Sequence, residues 1–135
     1  NRPEIAVTAE FLRQVEAFTG VFVCATNFFE AIDPALLRRF EYRLELLPLT
    51  PAQRIDLFCE TALGWDGNSD KRPGVDQSIH GRLGKMDLLT PGDFANVVRR
   101  VAALRLELDL HGWVDELRAE HDSKPGARRA VVGFV

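Results

Sequence analysis

The sequence is poor in cysteine, methionine and tyrosine, has no long hydrophobic run, and carries no surplus of positive charge. Each shortage excludes something. The two cysteines, Cys24 and Cys59, sit in apolar segments without CxxC spacing. They form neither a metal site nor a disulfide framework, and they are expected as buried thiols of a reducing, cytoplasmic compartment. The longest uncharged apolar stretch, Ala17 to Phe29, is broken by Thr19, Gly20, Thr26 and Asn27. It is too short and too polar to span a bilayer, so no membrane association is expected. No charged, apolar, small-residue succession opens the sequence, which speaks against a signal peptide. With 17 Lys and Arg against 20 Asp and Glu, the net charge is −3. That balance argues against coating nucleic acid, which needs a basic surface. What remains is 135 residues, 46% hydrophobic and 27% charged, the composition of a globular fold with one domain or two small subdomains. The opening Asn1-Arg2-Pro3 is neither an initiator methionine nor a tag, and the chain is expected to be a piece of something longer.

Along the chain, Val7, Phe11, Leu12, Val15 and Phe18 fall at helical offsets, with Thr8 as the expected N-cap and Gly20 as the stop. Val21-Phe22-Val23-Cys24-Ala25-Thr26 is a continuous apolar run suited to a strand buried on both faces. Asp33-Pro34 opens a short helix through Phe40, with Asp33 as cap and Pro34 at the first position. Glu41 to Leu46 alternates charged and apolar residues, the pattern of a half-buried strand. Pro48-Leu49-Thr50-Pro51 is a breaker cluster and the expected boundary, giving subdomains 1–48 and 49–135. Beyond it only helices are expected: Ala52 to Leu63, stopped by Gly64; a weaker one from Val75 to Met86, interrupted by Gly81 and Gly84; one from Thr90 through Leu108; and one from Leu110 to His121. The end, Arg128 to Val135, reads as a docked apolar terminus. The fold class is therefore a small α/β piece followed by an all-α piece, mostly helical overall.

Some residues carry polar chemistry at suggestive places. Thr26-Asn27 closes the apolar run, and the carboxyl end of a parallel strand is where open α/β sheets bind ligands. Taken alone, Asn27 reads equally as a turn former. Arg38-Arg39 ends the short helix, where cations complement the dipole, and a solvated face is the plainer reading. His80, His111 and His121 are far apart with no HxxxH pair, so no metal site is expected. Trp113 lies at helical spacing from Val114 and Leu117, which is a core pattern.

In combination these features are sharper. A helix, then Gly20-Val21-Phe22-Val23-Cys24-Ala25-Thr26-Asn27, then Ile32-Asp33-Pro34-Ala35-Leu36-Leu37-Arg38-Arg39-Phe40, a strand, and Gln53-Arg54 resemble the second half of an AAA+ ATPase module of bacterial type. The resemblance continues at Leu89-Thr90-Pro91-Gly92-Asp93-Phe94-Ala95-Asn96, similar to the start of a lid helix, and at Leu117, Glu120 and Lys124. It covers nearly the whole chain. It implies that residues 1–48 are the remnant of a P-loop NTPase αβα subdomain and residues 49–135 its helical lid. Asn27 matches sensor 1, which positions the attacking water, and Thr26 and Asn27 would face the nucleotide. Arg38 and Arg39 match the arginine-finger region, which reaches the nucleotide of an adjacent subunit. Pro91, Gly92 and Asp93 match the lid segment beside the adenosine. No arginine opens that helix, so the resemblance implies contact there through backbone instead of a sensor 2 arginine.

The implied cofactors are ATP and Mg²⁺ in a parent protein, with none held tightly by this chain. No GxxxxGK[ST] occurs, and no apolar run ends in Asp-Glu, so the phosphate-cradling loop and the magnesium-holding acidic pair are missing. The implied partners are other copies of the chain in a ring and a macromolecular substrate, protein and not nucleic acid, remodelled at the expense of ATP. The competing reading is a non-enzymatic helical interaction module of ATPase-like shape. A DNA-touching clamp-loader or initiator ATPase is disfavoured by the acidic balance.

Overall fold

A computed structural model describes residues 2–68 and 71–126. They form α1 (Arg2–Ala17), a single 3-10 turn (Phe29–Ala31), α2 (Pro34–Leu37), α3 (Pro51–Leu63), α4 (Gln77–Gly84), α5 (Pro91–Leu104) and α6 (Leu110–Asp122). The mostly helical expectation holds. The two expected strands do not: among the described residues Val21–Thr26 and Tyr42–Leu46 are coil. A strand exists through ladder hydrogen bonds to a neighbour, and no backbone hydrogen bond joins either segment to another part of the chain. Apolar patterning prepares a strand's faces; it does not supply the partner. The chain divides at Glu45–Leu46 into two units, just upstream of the Pro48–Pro51 cluster, and each is taken by itself.

In the first unit, α1 begins at Arg2 and ends at Ala17. Thr8 therefore lies inside the helix instead of capping it, and the helix stops before Gly20. Pro3 in the first turn suits a helix start, and Ala6 and Ala9 are strong helix formers, so no cap at Thr8 is required. α2 is one turn long. The Asp33 carboxylate accepts the Ala35 N–H at 2.8 Å, and Pro34 occupies the first position. The Phe11 and Phe22 rings meet edge to face at 5.9 Å, and Phe22 and Phe40 lie 6.1 Å apart. No described side chain of this unit is buried. Val21 is 90% exposed, and Cys24 is exposed as well, which corrects the expectation of two buried thiols.

The second unit is built on local signals. Thr50 and Gln53 exchange hydrogen bonds at the start of α3: the Thr50 hydroxyl accepts the Gln53 N–H at 3.3 Å, and Gln53 Oε1 accepts the Thr50 N–H at 3.0 Å. This reciprocal pair satisfies two of the helix's orphan donors. Gly64, at φ 66°, ends α3 in the left-handed conformation that glycine adopts without strain. Asp76 caps α4 by accepting the Ile79 N–H at 2.9 Å. That helix is shorter at both ends than the Val75–Met86 pattern implied.

α5 ends at Leu104 instead of running to Leu108. Arg105 turns to φ 51°, and the Leu106 N–H closes onto Val101 O at 3.0 Å, a left-handed helix ending. Asp109 then caps α6, accepting the Gly112 N–H at 2.7 Å. The four helices bury one core. It contains Ile55, Phe58 and Cys59 of α3, Ile79 and Leu83 of α4, Met86 and Leu89 of the connection, Phe94 and Val97 of α5, and Val114 and Leu117 of α6. Trp65 and Trp113 pack against it. The expected docked terminus, Arg128 to Val135, lies outside the described residues.

Candidate functional site

The site residues singled out in the sequence fall into the two units. In the first, Thr26 and Asn27 stand at a bend in coil, not at the end of a strand. The Thr26 hydroxyl accepts the Phe28 N–H at 2.9 Å. This is the local side-chain-to-backbone bond by which a threonine shapes a turn. Asn27 is exposed. Arg38 and Arg39 close α2: the Arg38 N–H donates to Pro34 O at 3.2 Å and the Arg39 N–H to Leu36 O at 3.0 Å. Both side chains are exposed. Arg39 is ion-paired to Glu16 of α1, a contact between elements that the sequence pattern did not reveal.

In the second unit, Pro91, Gly92 and Asp93 form the first turn of α5. Pro91 and Gly92 are exposed, whereas Asp93 is buried. One oxygen of Asp93, Oδ2, accepts the Thr90 N–H at 2.7 Å, the Thr90 hydroxyl at 2.9 Å and the Lys124 ammonium at 2.5 Å. Lys124 also donates to Leu88 O at 2.8 Å. Burial pushes the Asp93 carboxyl up, but the Lys124 and Thr90 donors outweigh it and hold the group below the usual carboxylate range. Asp93 is thus committed to starting α5 and to tying down the chain that leaves α6.

Sequence reasoning passed over Arg54. It is 3% exposed, and its Nη1 donates to Leu83 O at 2.5 Å and Gly84 O at 3.0 Å. Those carbonyls belong to the last turn of α4, the negative end of the helix. The signal was present: Arg54 precedes Phe58 by four residues and so stands on the core-facing stripe of α3. Beside it, Pro51, Ala52, Ile55, Arg72, His80 and Gly84 line an open recess of about 210 Å³. Arg72 is held there by Asp56 at 2.6 Å. Elsewhere in the unit, His121 is buried between Asp122 at 3.1 Å and Asp87 at 3.3 Å, so it has a packing environment of its own. Cys59 donates to Pro73 O at 3.7 Å, and burial pushes its thiol up.

The described residues do not by themselves make a place for ATP and magnesium. The Thr26 hydroxyl and the Asp93 carboxylate are both used locally, and among the described residues no group of three or more His, Cys, Asp or Glu side chains is placed to hold a metal ion. No described helix is long and apolar enough to cross a membrane. No family model, curated protein or solved structure matches this chain.

Proposed function

We propose that this chain is the C-terminal part of an AAA+-type ATPase that couples ATP hydrolysis to remodelling of a macromolecular, protein partner. It contributes sensor 1 through Asn27, an arginine finger from the Arg38–Arg39 pair, and a helical lid. The observation that carries the reading is the order of segments. A Thr-Asn pair is followed by Asp-Pro-Ala-Leu-Leu-Arg-Arg-Phe, and then by a helical unit that begins at Thr50-Pro51.

Two features of the geometry support it. The Asp33 cap and Pro34 present both arginines at the exposed end of α2, where their donors are available to an anion from a neighbouring copy. The helical unit has its own core, as a lid that moves as one body requires. In this reading ATP and Mg²⁺ are held chiefly by segments other than this chain. Catalysis in related phosphoryl transfer is positioning plus charge stabilisation, and a finger supplied in trans accelerates it by about 10³–10⁵.

The second reading, a non-enzymatic helical interaction module, is favoured by the coil state of 21–26 and 42–46 and by the local use of Asp93. Calorimetric titration of the 135-residue chain with MgATP, alongside turnover by the full-length protein, separates the two. The ATPase reading expects turnover by the full-length protein and at best millimolar affinity in the chain alone. Low-micromolar binding by the chain, or a full-length protein without GxxxxGK[ST] and without turnover, would sink it.

A further inference from the structure

We propose that Arg38, not Arg39, is the arginine that reaches the nucleotide of the adjacent copy, and that Arg39 is a positioning residue tethered through Glu16 to α1. The inference rests on the ATPase reading and assigns roles within its arginine pair.

The two side chains leave the end of α2 in different directions, because consecutive residues on a helical turn diverge by about 100°. One anion docking on this corner therefore meets one of them squarely. Arg39 faces α1 and is ion-paired to Glu16 there. Arg38 is exposed and has no ion pair among the described residues, so its planar fork of donors is available whole. That fork is what recognises phosphate oxygens two at a time. A phosphate drawn to Arg39 would be brought against the Glu16 carboxylate, and like charges at that range repel. A phosphate drawn to Arg38 meets no such neighbour among its ion pairs.

The corner itself is fixed by packing. The Phe40 N–H donates to Leu37 O at 3.3 Å. The Phe40 ring is half-buried and lies 6.1 Å from Phe22, which in turn meets Phe11 of α1 at 5.9 Å. Phe40 and Arg39 thus both point the end of α2 back toward α1, one by ring contact and one by charge, and Arg38 is left facing outward. An exposed ion pair is weak. Its role here is to bias which way the corner points, not to hold the fold.

Steady-state turnover of the full-length protein distinguishes the two arginines by conservative replacement. Arg38→Lys keeps the charge and loses the fork; kcat falls at least about 100-fold with KM little changed, within the range a missing finger produces. Arg39→Lys keeps the ion pair and stays within about threefold of wild type, as expected of an exposed pair in which lysine can replace arginine. Arg39→Gln and Glu16→Gln each lower kcat by the same modest factor, and the exchange Glu16→Arg with Arg39→Glu restores it. Mixing Arg38→Gln with a phosphate-loop variant recovers part of the activity, which shows that the Arg38 variant is folded and fails only in trans. The assignment is overturned if Arg39→Lys falls as far as Arg38→Lys, or if Arg38→Lys remains active. A wild-type full-length protein with no ATP turnover overturns the ATPase reading itself, and this assignment with it.

Discussion

The two units contain comparable apolar side chains and put them to opposite use. In the second, Phe58, Ile79, Leu89, Val97, Val114 and Leu117 are sealed from water. In the first, Val21, Val23, Phe28 and Tyr42 stand in solvent, and no described side chain is buried. Composition does not separate them; the source of the partners does. Each helix of the second unit satisfies its own backbone and offers a stripe of apolar residues to three others nearby in sequence. The first unit has one long helix, one helical turn and two extended segments, and an extended segment satisfies its backbone only through another chain segment. Apolar residues become a core when the backbone that carries them is already paired.

The largest effect that would break this comparison is a loss of packing on either side of it. Both tryptophans, Trp65 and Trp113, lie in the second unit, so their fluorescence follows that unit alone. Phe58→Ala opens a cavity in the core, and urea unfolding followed through the tryptophans should show a loss of about 3–5 kcal/mol. Phe22→Ala removes a ring that is 41% exposed, and the same transition should move by less than about 0.5 kcal/mol. Equal shifts from the two variants would mean that the units unfold as one, and the contrast drawn between them would fail.

The sequence was legible where structure is decided within a few residues. Thr50, Pro51, Gln53 and Gly64 bracket α3 by chemistry that each residue carries with it, and Asp33, Asp76 and Asp109 mark the starts of α2, α4 and α6 in the same way. It was illegible where the deciding partner is elsewhere. Val21–Thr26 has the apolar content of a buried strand, but a ladder partner cannot be read from the run itself. α5 stops at Leu104 because the Leu106 N–H closes back onto Val101, a choice of left-handed backbone at Arg105 that no glycine announces. Within the candidate site, Arg38-Arg39 at the end of a capped turn could be placed from sequence. The bond from Glu16 to Arg39 and the tie from Lys124 to Asp93 join residues far apart in the chain, and nothing in their spacing points to them.

Asp93 gives the next effect in size and carries a sign that can be checked. Its carboxyl is held below the ordinary value of 3.8 in the fold, by Lys124 and Thr90 against the opposing push of burial. A carboxyl lowered on folding adds stability that is fully present above its unfolded value and is lost as pH falls through the folded one. The tryptophan-reported stability of the second unit should therefore decline on acidification below roughly pH 4. Asp93→Asn should cost about 1–3 kcal/mol at neutral pH, the range for losing hydrogen bonds to a charged group. It should also flatten the acid decline, because the titrating group is gone. An unchanged acid limb in Asp93→Asn would show that other carboxylates set it, and that the Lys124 tie contributes little.

The smallest effect tests whether local backbone preference still matters inside the well-packed unit. Gly81 lies within α4, and a Cβ built there meets nothing within 4 Å. Gly81→Ala should therefore stabilise the second unit by about 0.5–1 kcal/mol, since alanine is the better helix former and restricts the unfolded chain. For a unit of this size the melting temperature should rise by about 4 °C. Gly64 is equally open, with nothing within 4 Å, but it sits at φ +66°. There Gly64→Ala meets no atom and still costs about 1–2 kcal/mol, because the left-handed conformation strains any Cβ. The two variants add the same methyl group to equally empty space on the same unit, so opposite signs isolate the backbone as the cause. If both raise the melting temperature, α3 does not depend on its left-handed ending. If both lower it, α4 is held by something its glycine permits, and the self-sufficiency of these helices is weaker than their caps imply.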